Sequence, residues 1–174
     1  MLTVSRITTL ASPDFARVDA LYEAAFPYHE KREPQAKQRA LDDPRYALQS
    51  WSDAGQFVGM IGAWDFGGYA YIEHLAVNDK LRSQGYGKRM LQQFLGRHPL
   101  TVLEIDPLTT DTARKRLRFY QGLGFQPNAC GHHHPSYHPG VEDHALIVLS
   151  YPLPLDEAQY RQFSDDLRHA VMAG

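Results

Sequence analysis

Between Tyr69 and Leu95 the chain changes periodicity once, and that change constrains everything around it. YAYIEHLAV alternates like a strand, Asn78 to Leu81 breaks it, and Arg82-Ser83-Gln84-Gly85-Tyr86-Gly87-Lys88 leads into an apolar-periodic helix. A switch from period 2 to period 3.6 across a glycine turn is a strand–loop–helix unit. Gly85 and Gly87 have no Cβ, so backbone N–H groups there can approach a diphosphate closely. The helix that starts at the turn adds its positive end and its unpaired amides. Arg82 and Lys88 put charge at the rim. Other phosphate motifs are excluded, since no GxxxxGK[ST] occurs and Met90 stands where a dinucleotide fingerprint needs its third glycine. The unit points to a cofactor-binding enzyme.

The flanking pattern gives the rest of the architecture. Leu2 to Thr8 alternates as a strand. Ser12-Pro13 reads as an N-cap with proline at the first helical position, and Phe15, Val18, Leu21, Tyr22 and Ala25 form a helical stripe stopped by Pro27. Pro34 starts a second short helix. Tyr46–Trp51, Phe57–Phe66 and Tyr69–Val77 read as three antiparallel strands joined at Asp53-Ala54-Gly55-Gln56 and Gly67-Gly68. A helix over about Gly87–Leu95, a strand Leu100–Ile105, a helix Thr110–Gln121, a strand from Phe125, a His/Pro/Gly-rich loop 131–140, a strand Ala145–Tyr151 and a helix Asp156–Met172 follow. The order β-α-α-β-β-β-α-β-α-β-β-α is one α/β (α+β) domain over 1–174, a mixed sheet with helices on its faces, and 152–174 is a helical addition.

Composition narrows the partners. With 174 residues, 22% charged and a net charge of −2, the chain has no basic excess to favour nucleic acid. Its apolar runs are of strand length, so no membrane span is expected. The lone Cys130 allows no internal disulfide, and the N-terminal sequence does not read as a signal peptide; the expected location is cytoplasmic.

The Arg82/Gly85/Gly87 pattern resembles the [RQ]-x-x-G-x-[GA] acyl-CoA motif of the GNAT superfamily of N-acetyltransferases. A second likeness is the helix end Arg118-Phe119-Tyr120-Gln121-Gly122-Leu123-Gly124-Phe125, and the element order agrees over about residues 1–151. The resemblance implies a GNAT-like acyl-CoA N-acyltransferase fold, with a mostly antiparallel sheet whose fourth and fifth strands splay apart. It implies acetyl-CoA as cofactor, its pyrophosphate on backbone amides across Gln84, Gly85, Tyr86, Gly87 and Lys88. Its pantetheine arm would run along Leu75, Ala76 and Val77. The activity implied is direct acetyl transfer to a primary amine of a small molecule or peptide. An acyl-CoA-binding sensor of the same fold without efficient catalysis is the alternative.

Acyl transfer to an amine needs a proton acceptor for the ammonium and a donor for the leaving thiolate. Tyr120 is the expected general acid, from the resemblance. Glu73 is the expected base. Period 2 puts Tyr71, Glu73, Leu75 and Val77 on one face, and burial among apolar neighbours would raise its pKa. His74 would face the other way unless a bulge swapped the faces. Glu104 and Asp106, on one side of the strand end, are candidates to read a cationic amine. Tyr28 and Glu30, with Arg32 and Glu33 in the same charge run, are candidates for the acceptor wall; the run also reads as a solvated segment. Cys130, His132, His133, His134, His138 and His144 cluster without metal-ligand spacing, so no metal is expected, although one of these histidines could serve as base. The terminal helix carries a partial apolar face (Leu155, Tyr160, Phe163, Leu167, Val171) that could cover this domain or a twin in a homodimer.

Overall fold

A computed structural model describes residues 1–173. Strands β1 (Thr3–Ile7), β2 (Tyr46–Asp53), β3 (Gln56–Asp65) and β4 (Ala70–Val77) form an antiparallel meander. The β2–β3 turn holds Ala54 at φ 49° and Gly55 at φ 85°, the left-handed pair that suits a tight hairpin. Helix α3 (Tyr86–Arg97) then carries the chain to β5 (Thr101–Ile105), which lies parallel to β4. Beyond α4 (Asp111–Gly122), the short strands β6 (Gln126–Pro127) and β7 (His132–His134) both pair with β8 (His144–Tyr151), and β8 pairs with β5. The sheet order is β1-β2-β3-β4-β5-β8-β6, with β7 on the far stretch of β8. The loop expected over 131–140 therefore opens with a strand.

Two cores sandwich the sheet. On one face, Met90, Leu91, Phe94 and Leu95 of α3 pack with Ile61, Ile72, Leu103, Phe125 and Leu149. On the other, α1 (Phe15–Ala25) and α2 (Pro34–Asp42) bring Val18, Tyr22 and Leu41 against Met60, Trp64 and Tyr71. Helix α5 (Glu157–Asp166), with a capping box between Asp156 and Gln159, runs on into a wider π turn, Leu167–Val171. Phe163, Leu167 and Val171 are buried in the second core, so the apolar face of the terminal helix is committed to its own domain. The start of α1 corrects the sequence reading. The Ser12 carbonyl accepts from Phe15 N–H in a turn of its own (3.0 Å), and the helix begins at Phe15 with Asp14 at its cap.

One irregularity in β4 matters for function. The register with β3 shifts between Gly62↔His74 and Ala63↔Ile72, leaving Glu73 as the extra residue of a bulge. Ile72 then lies on the same face as Leu75 and Val77, while Tyr71 shares the opposite face with Ala76. The expected common face of Tyr71, Glu73, Leu75 and Val77 is thus broken at Glu73. β4 also lies close to β3 and α3 further along, where a Cβ on Gly59 would sit 2.5 Å from the Ala76 carbonyl oxygen and 3.0 Å from the Met90 side chain. The carbonyl is backbone and cannot swing aside. Gly59→Ala is expected to destabilise the fold by about 2 kcal/mol, read as a lowered urea midpoint with an unchanged slope.

Candidate active site

The loop into α3 leaves a run of backbone amides without helical acceptors, a geometry that suits an anion. Ser83 and Gly85 both have positive φ, 65° and 78°, and the first intrahelical bond is Arg89 N–H to Gly85 O at 3.1 Å. The amides of Tyr86, Gly87 and Lys88 precede that bond and have no helical acceptor. A Cβ on Gly85 would meet no atom within 4 Å, whereas one on Gly87 would lie 3.5 Å from Val77 Cγ2 and 3.7 Å from the Phe119 ring. The cradle is open above Gly85 and floored by β4 and α4 at Gly87. Gln84 and Lys88 are exposed at its edge. Arg82 pairs with Asp79 at 2.7 Å on the surface. The side chain of Tyr86 turns away, its hydroxyl donating to Asp53 at 2.8 Å, so only its backbone can serve the cradle.

From the cradle, β4 runs to the splay. β4 and β5 pair only at Ala70↔Thr101 and Tyr71↔Val102. Past that point Leu75, Ala76 and Val77 pair with β3 on one side and have no strand partner on the other. An unpaired strand edge is a template for an extended amide-bearing group. Tyr120 packs on the same core as Leu75 and Val77, edge-on to Phe125 (5.6 Å) and Phe119 (5.3 Å). Its hydroxyl makes no hydrogen bond among the described residues. Burial pushes the phenol pKa up, against a weaker pull from Arg116, so Tyr120 keeps its proton at neutral pH.

The opposite side of the splay holds a buried polar network. Arg32 sits 2.8 Å from both carboxylate oxygens of Glu73, and both side chains are almost fully buried. Glu73 also accepts from Trp64 Nε1–H (2.9 Å) and Tyr137 O–H (2.7 Å). Arg32 in turn donates to the Val171 carbonyl (2.9 Å), and its backbone N–H donates to Tyr22 Oη (2.7 Å). This corrects two readings. Arg32 does not belong to a solvated run, and the Glu73 pKa is not raised. Burial alone would raise it, but Arg32, then His74, outweigh that and hold it down at about 2. A carboxylate saturated in this way is a poor base near neutral pH.

Glu104 is also enclosed, accepting from Tyr71 O–H and lying 2.5 Å from His132 Nε2. His132 Nδ1 meets Tyr160 Oη at 2.8 Å. Burial works against its ionisation, but the neighbouring His134 and His132 win and lower its pKa. Glu104 is therefore not at the mouth, whereas Asp106 is exposed there, 3.6 Å from Arg116.

Three imidazoles fasten the turn Tyr28–Glu30. The Nε2 atoms of His138, His144 and His74 bond the carbonyls of Tyr28 (2.8 Å), His29 (3.1 Å) and Glu30 (2.7 Å) in succession. Tyr28, 60% exposed, stacks on His138 at 3.8 Å. Because its backbone is held, the Glu30 carboxyl is presented half-buried, with no hydrogen bond of its own. Burial and the nearby Asp106 raise its pKa. The histidines thus serve backbone carbonyls and carboxylates; among the described residues no group of three His, Cys, Asp or Glu is arranged to hold a metal ion. No helix among them is long and apolar enough to cross a membrane. Glu30 and Asp106 are neighbours, Tyr28 turns to Glu33 and His138, and Tyr120 packs with Leu75 and Val77. Nothing local in the sequence marks Trp64 or Tyr137 as site residues, and Arg32 stands there only as one charge of the Glu30–Glu33 run, with no sign of its burial.

The strand, cradle and splay match a known family. Its model, for the acetyltransferase (GNAT) family, matches residues 15–125. The chain belongs to the GNAT acetyltransferase family. A protein described as a GNAT-family acetyltransferase from Bacteroides thetaiotaomicron has a structure similar at TM-score 0.91, with 27% identity and 99% of each chain covered. A GNAT-family acetyltransferase from Elizabethkingia anophelis, solved with acetyl-CoA bound, is similar at TM-score 0.56 and 15% identity over 87% of this chain and 98% of that one. An aminoglycoside 6'-N-acetyltransferase complexed with coenzyme A is similar at TM-score 0.62 and 17% identity, covering 89% and 99%. No curated protein matches the sequence.

In this GNAT domain the Arg32–Glu73 pair ties acid stability to the site. A carboxyl whose pKa falls from 4.5 to about 2 on folding contributes fully above 4.5, and loses that contribution as pH drops toward 2. Glu73→Gln leaves the Arg32 charge buried and unpaired, and is expected to cost about 3–5 kcal/mol at pH 7. Its stability should also fall less steeply than wild type between pH 4.5 and 2, as denaturant titrations across that range would read.

Proposed function

We propose that this chain is an N-acetyltransferase that moves acetyl from acetyl-CoA directly to a primary amine on a small molecule or peptide. The observation that carries the reading is that Gly87 of the open cradle lies against Val77, at the unpaired edge of β4, and that Tyr120, with its hydroxyl unbonded among the described residues, packs on the same core as Leu75 and Val77. Acetyl-CoA supplies a thioester carbonyl open to attack and a thiolate leaving group. The amides of Tyr86, Gly87 and Lys88 hold its diphosphate, with Gln84 and Lys88 at the rim. The backbone of Leu75, Ala76 and Val77 orients the pantetheine amides. The partly exposed Phe119 ring, beside Gly87, gives the arm an apolar surface.

Tyr120, protonated at neutral pH, is placed to give its proton to the departing sulfur. On the acceptor side Glu30 and Asp106 favour a cationic amine, and Tyr28 favours one with an apolar body. Glu73 is assigned to holding the Tyr28–Glu30 turn through Arg32 rather than to moving protons. That saturation of Glu73 is also what favours the competing reading, an acyl-CoA-binding module without turnover.

Calorimetric titration with acetyl-CoA tests the cradle. Gly87→Glu puts a carboxylate beside the diphosphate where a Cβ is sterically tolerated. It is expected to weaken binding about tenfold or more, ~1.4 kcal/mol. Tyr120→Phe separates the two readings. An enzyme loses about 10²-fold in kcat with its acetyl-CoA affinity unchanged, in a thiol-release assay across a panel of primary amines. A binding module shows no turnover in either form.

A further inference from the structure

The proton acceptor is left open once Glu73 is held as a saturated anion. We infer that His134 takes the proton of the incoming ammonium at its Nε2, an assignment that rests on the acyltransferase reading. The argument begins with donor and acceptor chemistry. His134 closes β7, paired with His144, and its ring is 3% exposed. Nδ1 lies 2.6 Å from the Pro135 carbonyl oxygen, which can only accept, so Nδ1 carries the hydrogen. The neutral ring then has its lone pair at Nε2. The nearby Tyr137 Oη is 3.5 Å away, beyond good hydrogen-bond distance, and gives its proton to Glu73 at 2.7 Å. Nε2 is therefore a buried lone pair without a donor.

The neighbouring histidines are committed differently. His74, His138 and His144 use Nε2 on the turn carbonyls, and His132 uses it on Glu104. His74 and His144 therefore carry their hydrogen at Nε2, and the Nδ1 of His74 lies 4.0 Å from the saturated Glu73 carboxylate. Among these rings His134 is the one that holds its N–H at Nδ1 and leaves Nε2 open. Its ring is stacked between Tyr137 (5.1 Å) and His144 (5.9 Å), which fixes its plane.

The charges around it come from every element packed there. Glu30 of the turn and Glu104 of β5 are the carboxylates near the ring, and His74 of β4 and His144 of β8 are the neighbouring imidazoles. Tyr137 lies between the ring and Glu73. This gives the buried ion pair a role in the chemistry. Arg32 keeps Glu73 anionic, the anion claims the Tyr137 proton, and Nε2 stays bare.

The step balances. Nε2 takes one proton from R–NH3⁺, and the freed amine pair forms the C–N bond. The C–S bond breaks with its electrons on sulfur, which takes the Tyr120 proton. The nitrogen loses its second proton to restore Tyr120, and one proton leaves His134 for solvent.

His134→Asn tests the assignment, since the Asn amide N–H can replace Nδ1–H toward Pro135 while Nε2 is lost. In the full chain, ¹⁵N-histidine NMR at neutral pH should show one ring, absent from His134→Asn, as the neutral tautomer protonated at Nδ1 only. With acetyl-CoA and tyramine, cadaverine and a short peptide with a free N-terminus as probes, the variant should lose about 10²–10⁴-fold in kcat and the acid limb of its pH profile. Acetyl-CoA affinity should be unchanged by calorimetry. A ring protonated at Nε2, or a variant that keeps both kcat and the acid limb, overturns the assignment. Failure of wild type to bind acetyl-CoA would sink the acyltransferase reading instead, and the tautomer would still report on Nε2 by itself.

Discussion

The contact on which the acceptor side depends is the buried pair of Arg32 and Glu73. Removing two charges from water is expensive, and such a pair is seldom a net source of stability. What it gives here is position. Arg32 joins the turn after α1, the bulge of β4 and the carbonyl of Val171 at one guanidinium, while Trp64 and Tyr137 complete the coordination of Glu73. Three parts of the chain far apart in sequence thereby share one anchor. The carboxylate is kept ionised by the partners that surround it, so the site acquires a fixed negative charge independent of ordinary changes in pH.

The bulge makes that arrangement possible. In a regular strand Glu73 would lie on the face of Leu75 and Val77, against the α3 core, with no partner for its charge. One extra residue lets β4 present apolar side chains to the cradle side and Glu73, with His74, to the acceptor side. A single backbone irregularity thus gives one strand an apolar face toward α3 and a charged residue on the side of the buried polar network.

Much of the fold was legible because it rests on local signals. Glycine turns and the period change at Asn78 act within a few residues, and the structure keeps them. The turn into α3 was legible for the same reason, since the left-handed backbone at Gly85 suits a glycine and the helix starts directly after it. The acceptor side was not. Arg32 looked like one more charge in Glu30-Lys31-Arg32-Glu33, and its burial depends on Glu73, 41 residues away. The histidine cluster could be read only as a loop without assigned partners, because alternation along a strand hides which carbonyl each ring will reach. The pKa of Glu73 was misjudged because burial was visible in the pattern and the compensating cation was not.

The Val171 carbonyl has a consequence for how the molecule is made. Synthesis runs from the N-terminus, so the turn at Tyr28–Glu30 emerges long before the segment that completes its anchor. His138 and His144, which bond its carbonyls, also come late. Until those parts arrive, Arg32 has neither its full set of acceptors nor its cover. The cofactor half, from β4 through α4, needs nothing beyond β8 to close. A nascent chain would therefore close the half that carries the glycine cradle before the half anchored on Arg32 and Glu73, and the two halves would mature in sequence.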